Sequence, residues 1–160
     1  MPIERVGVIG AGTMGNGIAH VFARSGYRVT LCDVEQKFLD RGLETIGKNL
    51  DRELAKGKIT AADKVAALKR IVSVLDRAQL APCDFVIEAA TEKFEIKAEI
   101  FRDLDQICRP EVILASNTSS ISITRLAAVT RRPAKIIGMH FFNPVPVMKL
   151  AEVIRGLATS

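Results

Sequence analysis

Apolar positions set the rhythm of this chain. Val6, Val8 and Ile9 form a short run that ends at Gly10, and a second run through Val29 and Leu31 stops at Asp33, with a helical pattern between them. Short apolar runs bounded by turn residues read as buried strands, so the stretch is strand, turn, helix, strand. After Asp33 the period changes. Leu39, Leu43, Ile46, Leu50 and Leu54 recur at three- and four-residue steps, giving a long helix one apolar face until Gly57 interrupts it. Thr60-Ala61-Ala62-Asp63 has the form of a capping box with Asp in the Glu position, and opens a shorter helix through Val65 and Leu68. This helical hairpin, residues 35–70, reads as an insertion in an alternating strand–helix pattern. Ile71–Leu75, Phe85–Glu88 and Val112–Ala115 read as three strands of a second half. A helix marked by Ile96, Ile100, Leu104 and Ile107 precedes the last of them and is stopped by Pro110.

Beyond Ala115 the alternation breaks. Ser116–Ser120 is a polar turn past a strand end, and a short helix through Leu126 and Ala127 follows. Lys135–Phe142 reads as a strand, Asn143-Pro144-Val145-Pro146 as a tight reversal, and Val147–Ile154 as a strand running back. The expected class is α/β: a Rossmann-type doubly wound, mainly parallel sheet with helices on both faces and an antiparallel pair at one edge. Ligands of such sheets bind beyond the carboxyl ends of the strands. Gly10–Gly15, Ala89–Glu92, Ser116–Ser120 and His140–Asn143 all fall at or near such ends.

The first of these turns is Gly10-Ala11-Gly12-Thr13-Met14-Gly15. Gly10 permits the tight turn, Gly12 lets bare backbone approach a pyrophosphate, and Gly15 lets the helix pack close to the strand. The phosphates would sit on unpaired N–H groups at the helix start, where the macrodipole favours negative charge. Asp33 is placed to accept the adenosine ribose hydroxyls and to repel a 2′-phosphate, which predicts NAD rather than NADP. The glycine pattern alone is shared with FAD enzymes; its setting between two apolar runs closed by an acid is what makes a dinucleotide specific.

Composition narrows the rest. At 160 residues and 48% hydrophobic, the chain is expected to form one domain with a sizeable core. No apolar run approaches the roughly 20 residues of a bilayer span, so no membrane partner is expected. Met1-Pro2-Ile3-Glu4-Arg5 leads straight into a strand without a charged-then-apolar leader. Cys32, Cys83 and Cys108 are scattered and lack metal-ligand spacing, which fits free thiols in a reducing cytoplasm and gives no metal site. The net charge of +5 is concentrated in the hairpin, where mixed signs suit a solvated helix face or, alternatively, a polyanionic ligand. With 5% aromatics and no unbroken basic run, nucleic acid is a poor candidate.

Alcohol oxidation by a nicotinamide needs a group that takes the hydroxyl proton as hydride leaves. His140 is the candidate, since His20 falls inside the first helix, where packing is the simpler reading. Glu152 follows the reversal on the returning strand, where it can face His140 and fix the tautomer and orientation of the ring. An exposed strand glutamate is the simpler alternative.

The segments GAGTMGNGIA, EAATEKFEIK, ASNTSSISIT and MHFFNPVPVMKLAEVI, in this order and spacing, closely resemble the L-3-hydroxyacyl-CoA dehydrogenases across essentially the whole chain. The resemblance implies that His140 is the general base toward the substrate 3-hydroxyl, oriented by Glu152. It implies that Ser119 and Asn143 sit at the substrate–nicotinamide junction, and that Glu92 and Lys97 line the nicotinamide-ribose side. It places coenzyme A on the hairpin, with Lys56 at a contacting position and Asn49 where some members carry a serine. Members of the family continue into a further, mostly helical domain that closes the cleft and forms a homodimer, so residues 1–160 resemble the cofactor-binding domain alone. The expected function is NAD-linked oxidation of a (3S)-3-hydroxyacyl-CoA, with little turnover by this domain in isolation. A non-catalytic NAD-binding module and a dehydrogenase of a free hydroxy acid such as L-gulonate stay open as alternatives.

Overall fold

A computed structural model describes residues 1–160. Its strands are β1 (Arg5–Ile9), β2 (Arg28–Cys32), β3 (Ile71–Val74), β4 (Phe85–Glu88), β5 (Ile113–Ser116), β6 (Ile136–Phe141) and β7 (Ala151–Arg155). They form one sheet in the order β3-β2-β1-β4-β5-β6-β7, parallel throughout except for the antiparallel β6–β7 pair. The helices are α1 (Thr13–Arg24), α2 (Gln36–Ala55), α3 (Ala61–Lys69), α4 (Phe94–Ile107) and α5 (Ile123–Ala128).

Alternating side chains of the central strands feed two cores. Val6 and Val8 of β1 and Phe85 and Ile87 of β4 meet Ile18 of α1 and Leu39, Ile46 and Leu50 of α2 on one face. Ile9 and Val86 point the other way, onto Ile100, Phe101 and Leu104 of α4. This two-sided burial is why the strands read as continuous apolar runs rather than as alternating ones. The α3 capping box is present, with Asp63 N–H donating to Thr60 Oγ1 (3.1 Å) and Thr60 N–H to Asp63 Oδ2 (2.9 Å).

Two sequence expectations need correction. Strand β3 does not join β4 and β5 in a second half; it crosses to the far side of β2 and forms the sheet edge. The α2–α3 hairpin is the connection between these two parallel neighbours, since a parallel β2–β3 pair requires a crossover that returns over one face. The returning strand begins at Ala151, not Val147: the N–H groups of Val147 and Met148 are spent on the Pro144 carbonyl, both at 3.0 Å, and cannot enter the ladder. The Asn143–Pro144 bond in this reversal is cis. No helix is long and apolar enough to cross a membrane.

A buried arginine closes the α4–β5 connection. Arg132 donates from Nε to Asp105 Oδ1 (2.7 Å) and from its two Nη atoms to the carbonyls of Asp105, Cys108, Arg109 and Val112. These include carbonyls at the end of α4 that have no partner within the helix, so the planar guanidinium serves as the cap that the sequence lacks.

Candidate active site

The glycine turn takes the shape that its spacing demands. Gly10 has φ +99°, and a methyl group there would lie 2.5 Å from the Ala89 carbonyl oxygen. Gly12 is the N-cap of α1; no side chain caps the helix, and a Cβ at Gly12 would meet nothing within 4 Å. The positive end of α1 is thus left open on its ligand side, with Gly12 and Thr13 exposed, Met14 half-buried, and Ala11 and Gly15 buried. Asp33, just past β2, accepts N–H groups from Ala11 (2.8 Å, Oδ2) and Val34 (2.6 Å, Oδ1). Each oxygen keeps lone-pair capacity for a ribose hydroxyl. A cavity of about 540 Å³ runs from Gly10 and Gly12 past Asp33 to Phe38, Arg77 and Ala90. An open cradle, a bare helix start and an acceptor carboxylate in one cavity fit an adenine dinucleotide.

Asn16 was not singled out from sequence, yet it braces this turn. It is buried, and its Nδ2 donates to the Gly12 carbonyl at 2.7 Å. The available signal was a polar residue on the apolar face of an amphipathic helix.

The turns after β4 and β5 meet on the other side of the cradle. Glu92 and Ser119 are exposed there, and Thr118 Oγ1 hydrogen-bonds Glu92 Oε1. Lys97 departs from the sequence reading. It is closed beneath the 89–92 turn at 1% exposure, with Nζ 2.7 Å from Glu88 Oε2 and 3.4 Å from the Ala90 carbonyl, instead of lining the open surface. Its ammonium is buried because Glu88, itself fully buried, supplies the opposite charge. Sequence patterning gave no sign of this pair, since Glu88 reads as the last residue of an apolar strand.

Strands β6 and β7 bring the proposed acid–base pair together. His140 and Glu152 are direct cross-strand partners, and His140 Nδ1 lies 3.9 Å from Glu152 Oε2. The distance exceeds a hydrogen bond, as acid–base contacts often do before substrate arrives. Both side chains keep solvent access, at 23% and 55%. The His140 and Phe142 rings pack edge to face, centroids 4.7 Å apart, and Asn143 is exposed just beyond.

His20 is the contrast. Its Nε2 is 2.9 Å from Glu53 Oε1, which also takes Arg24, and its side chain is fully buried. Burial lowers its pKa, with Glu53 opposing the shift. An imidazole sealed between α1 and α2 cannot meet a substrate, so the tighter His–Glu pair is a packing element. Lys56 is exposed at the hairpin tip, and Asn49 Oδ1 accepts from Arg52 (3.0 Å); neither lines the Gly10–Asp33 cavity. A second cavity, about 570 Å³, lies beside Phe141, Val145 and Met148, with Arg24, Lys58 and Lys149 on its walls.

Comparison with known proteins gives the family. Residues 5–160 match the family model described as "3-hydroxyacyl-CoA dehydrogenase, NAD binding domain". The chain is 55% identical over 157 residues to a 3-hydroxybutyryl-CoA dehydrogenase of Bradyrhizobium diazoefficiens, covering 98% of this chain and 54% of that protein. It is 47% identical to a 3-hydroxyadipyl-CoA dehydrogenase of Escherichia coli, covering 99% of this chain and 33% of the relative. The crystal structure of an (S)-3-hydroxybutyryl-CoA dehydrogenase from Ralstonia eutropha superposes with a TM-score of 0.97 at 52% identity, over 99% of this chain and 56% of the other. The chain thus spans about half the length of the 3-hydroxybutyryl-CoA dehydrogenases it matches.

Proposed function

Because this chain belongs to the 3-hydroxyacyl-CoA dehydrogenase family, through that family's NAD-binding domain, we propose that it is the cofactor half of an enzyme for reversible oxidation of (3S)-3-hydroxyacyl-CoA to 3-oxoacyl-CoA. The observation that carries this reading is the register of β6 and β7: it sets His140 opposite Glu152 at one edge of the same sheet whose β1 and β2 ends carry the nucleotide cradle.

NAD, when bound, supplies the acceptor for the hydride that leaves substrate C3. The protein supplies the remainder. Gly12 and the start of α1 hold the pyrophosphate, and Asp33 holds the adenosine ribose. His140, with Nδ1 toward Glu152, presents Nε2 to the 3-hydroxyl and takes its proton as the C–H bond breaks; in the reverse direction it returns that proton to the carbonyl oxygen. Glu152 compensates the imidazolium formed meanwhile and keeps the ring in one tautomer. Ser119 and Asn143 are proposed to hold the substrate oxygen and the nicotinamide, and Glu92 the adjoining ribose.

The cavity beside Met148 supports a thioester over a free hydroxy acid. It combines apolar walls with Arg24, Lys58 and Lys149, which suits an acyl–pantetheine chain ending in phosphates. Lys56, and less firmly Asn49, extend the basic surface to the hairpin tip. The proposal includes a cytoplasmic location, which the three free, buried cysteines fit. It also includes a further substrate and dimerisation region, in keeping with the length of the relatives.

Calorimetric titration with NADH, repeated with acetoacetyl-CoA and with acetoacetate, tests the reading. NADH binding strengthened by the thioester and not by the free acid is the expected result. A response to acetoacetate equal to that to acetoacetyl-CoA would transfer the proposal to free hydroxy acids, and no NADH binding would remove it.

A further inference from the structure

The fully buried ion pair beneath the cofactor turns has no part in the mechanism above. Glu88 ends β4 and Lys97 lies one turn into α4, and their side chains are 0% and 1% exposed. Desolvating two charges is costly, and a buried pair gains little net stability over apolar residues of the same shape. Packing alone therefore does not account for it.

Its hydrogen bonds are distributed in a particular way. Glu88 Oε2 accepts from Lys97 Nζ (2.7 Å) and from the Ala90 N–H (2.6 Å), which lies in the turn leading to Glu92. Glu88 Oε1 accepts from Ser116 Oγ (2.6 Å), at the last residue of β5. Ser116 Oγ in turn accepts from the Thr118 N–H (3.3 Å), and the Thr118 hydroxyl hydrogen-bonds Glu92. On the same strand end the Glu88 carbonyl accepts the Asn117 N–H (2.8 Å), while Asn117 Oδ1 accepts the N–H of Phe141 (2.9 Å), the residue after His140. One residue thus joins the turns carrying Glu92 and Ser119 through its carboxylate and, through its main-chain carbonyl and Asn117, the strand carrying His140.

We infer that Glu88 is a positioning residue. Its buried carboxylate locks the 89–92 and 116–120 turns into a single rigid platform for the nicotinamide end of the cofactor, while Gly12 and Asp33 hold the adenosine end. Lys97 is the counter-ion that allows Glu88 to be buried charged. Charge-assisted bonds at low dielectric are short and strongly directional, and three donors on two oxygens leave the carboxylate no alternative orientation. The inference rests on the proposed location of the nicotinamide between these turns.

The test compares NADH with ADP-ribose, which has the adenosine and pyrophosphate but no nicotinamide. Both are titrated into the unsubstituted chain, Glu88→Gln and Ser116→Ala, with thermal melting recorded in parallel. Ser116→Ala removes only the link to the second turn and leaves the ion pair in place, so it reports even where Glu88→Gln fails to fold. In the folded variants NADH affinity is expected to fall about tenfold, the effect of losing one buried charge-assisted hydrogen bond from the platform. In Ser116→Ala, ADP-ribose affinity should stay within about twofold, and the fluorescence enhancement of bound NADH should diminish. A folded Ser116→Ala with an unchanged NADH-to-ADP-ribose ratio overturns the inference and leaves the pair as a stability element. Failure of the unsubstituted chain to bind NADH removes the cofactor reading and this inference together.

Discussion

The carbonyl oxygen of Gly10 lies 1.7 Å from the point where a Cβ on Gly15 would stand. Helix α1 is thus pressed directly onto the turn that starts it, and the absence of a side chain at Gly15 is a packing requirement. Gly12, three residues earlier, has open space in the same test and a backbone conformation (φ −67°) that alanine accepts. The two glycines should separate cleanly. Gly15→Ala is expected to lose at least the ~1–3 kcal/mol typical of overpacking, seen as a lowered melting temperature. Gly12→Ala should melt like the parent chain yet bind NADH more weakly, because its methyl group occupies the ligand's side of the cradle. Equal melting temperatures for the two variants would contradict this.

Asp33 has two tasks, holding the Ala11 N–H and facing the ribose. Asp33→Ala is expected to weaken NADH binding and to narrow or reverse the preference over NADPH, since the repelling charge is gone. Parallel fluorescence titrations with both nucleotides measure the ratio. A ratio equal to that of the parent would take coenzyme selection away from this residue.

For chemistry, His140→Gln in the active enzyme should cost about 10²–10⁴-fold in kcat with NADH affinity nearly unchanged. Glu152→Gln should produce a smaller loss with no change in melting temperature, because the side chain is more than half exposed on an edge strand. Normal turnover with glutamine at position 152 would reduce the cross-strand pair to a coincidence of register.

Arg132 should dominate local stability. Arg132→Met removes the guanidinium from Oδ1 of the buried Asp105, whose Oδ2 keeps its bonds from Arg131, and leaves four carbonyls without their donor. Leaving buried acceptors unsatisfied costs roughly 1–3 kcal/mol, a loss that urea unfolding resolves. Arg132→Lys should recover little, since an ammonium cannot span that fork.

One contribution to acid stability lies at the opposite end of the sheet from the site. Asp84 accepts the N–H groups of Glu4 and Arg5 and a bond from Arg109, which lower its pKa from 3.8 to about 2. Between these two values the unfolded chain binds more protons than the native one. The stabilisation is therefore present above the unfolded value of 3.8 and is lost as pH falls through that value toward about 2. Asp84→Asn should lower the melting temperature at neutral pH and flatten its decline over that acid window. An undiminished decline would assign acid unfolding to other carboxylates.

The local pattern of this chain settled a good deal. Buried strands announce themselves as apolar runs, α2 as a leucine stripe, and α3 as a capping box, because each depends on neighbours within a few residues. The same locality made the Gly10–Gly15 turn and Asp33 legible, and with them the dinucleotide. Tertiary structure decided what depends on partners distant in sequence. It sent β3 to the far edge, which is a matter of which strand it pairs with. It sealed His20 against Glu53 and left His140 open beside Glu152, although both are histidines followed later by a glutamate. It also put Lys97 against Glu88 and Arg132 across the end of α4. No periodicity encodes such pairs, because a buried charge is tolerated only where the fold brings its counter-charge, and that meeting exists only in three dimensions.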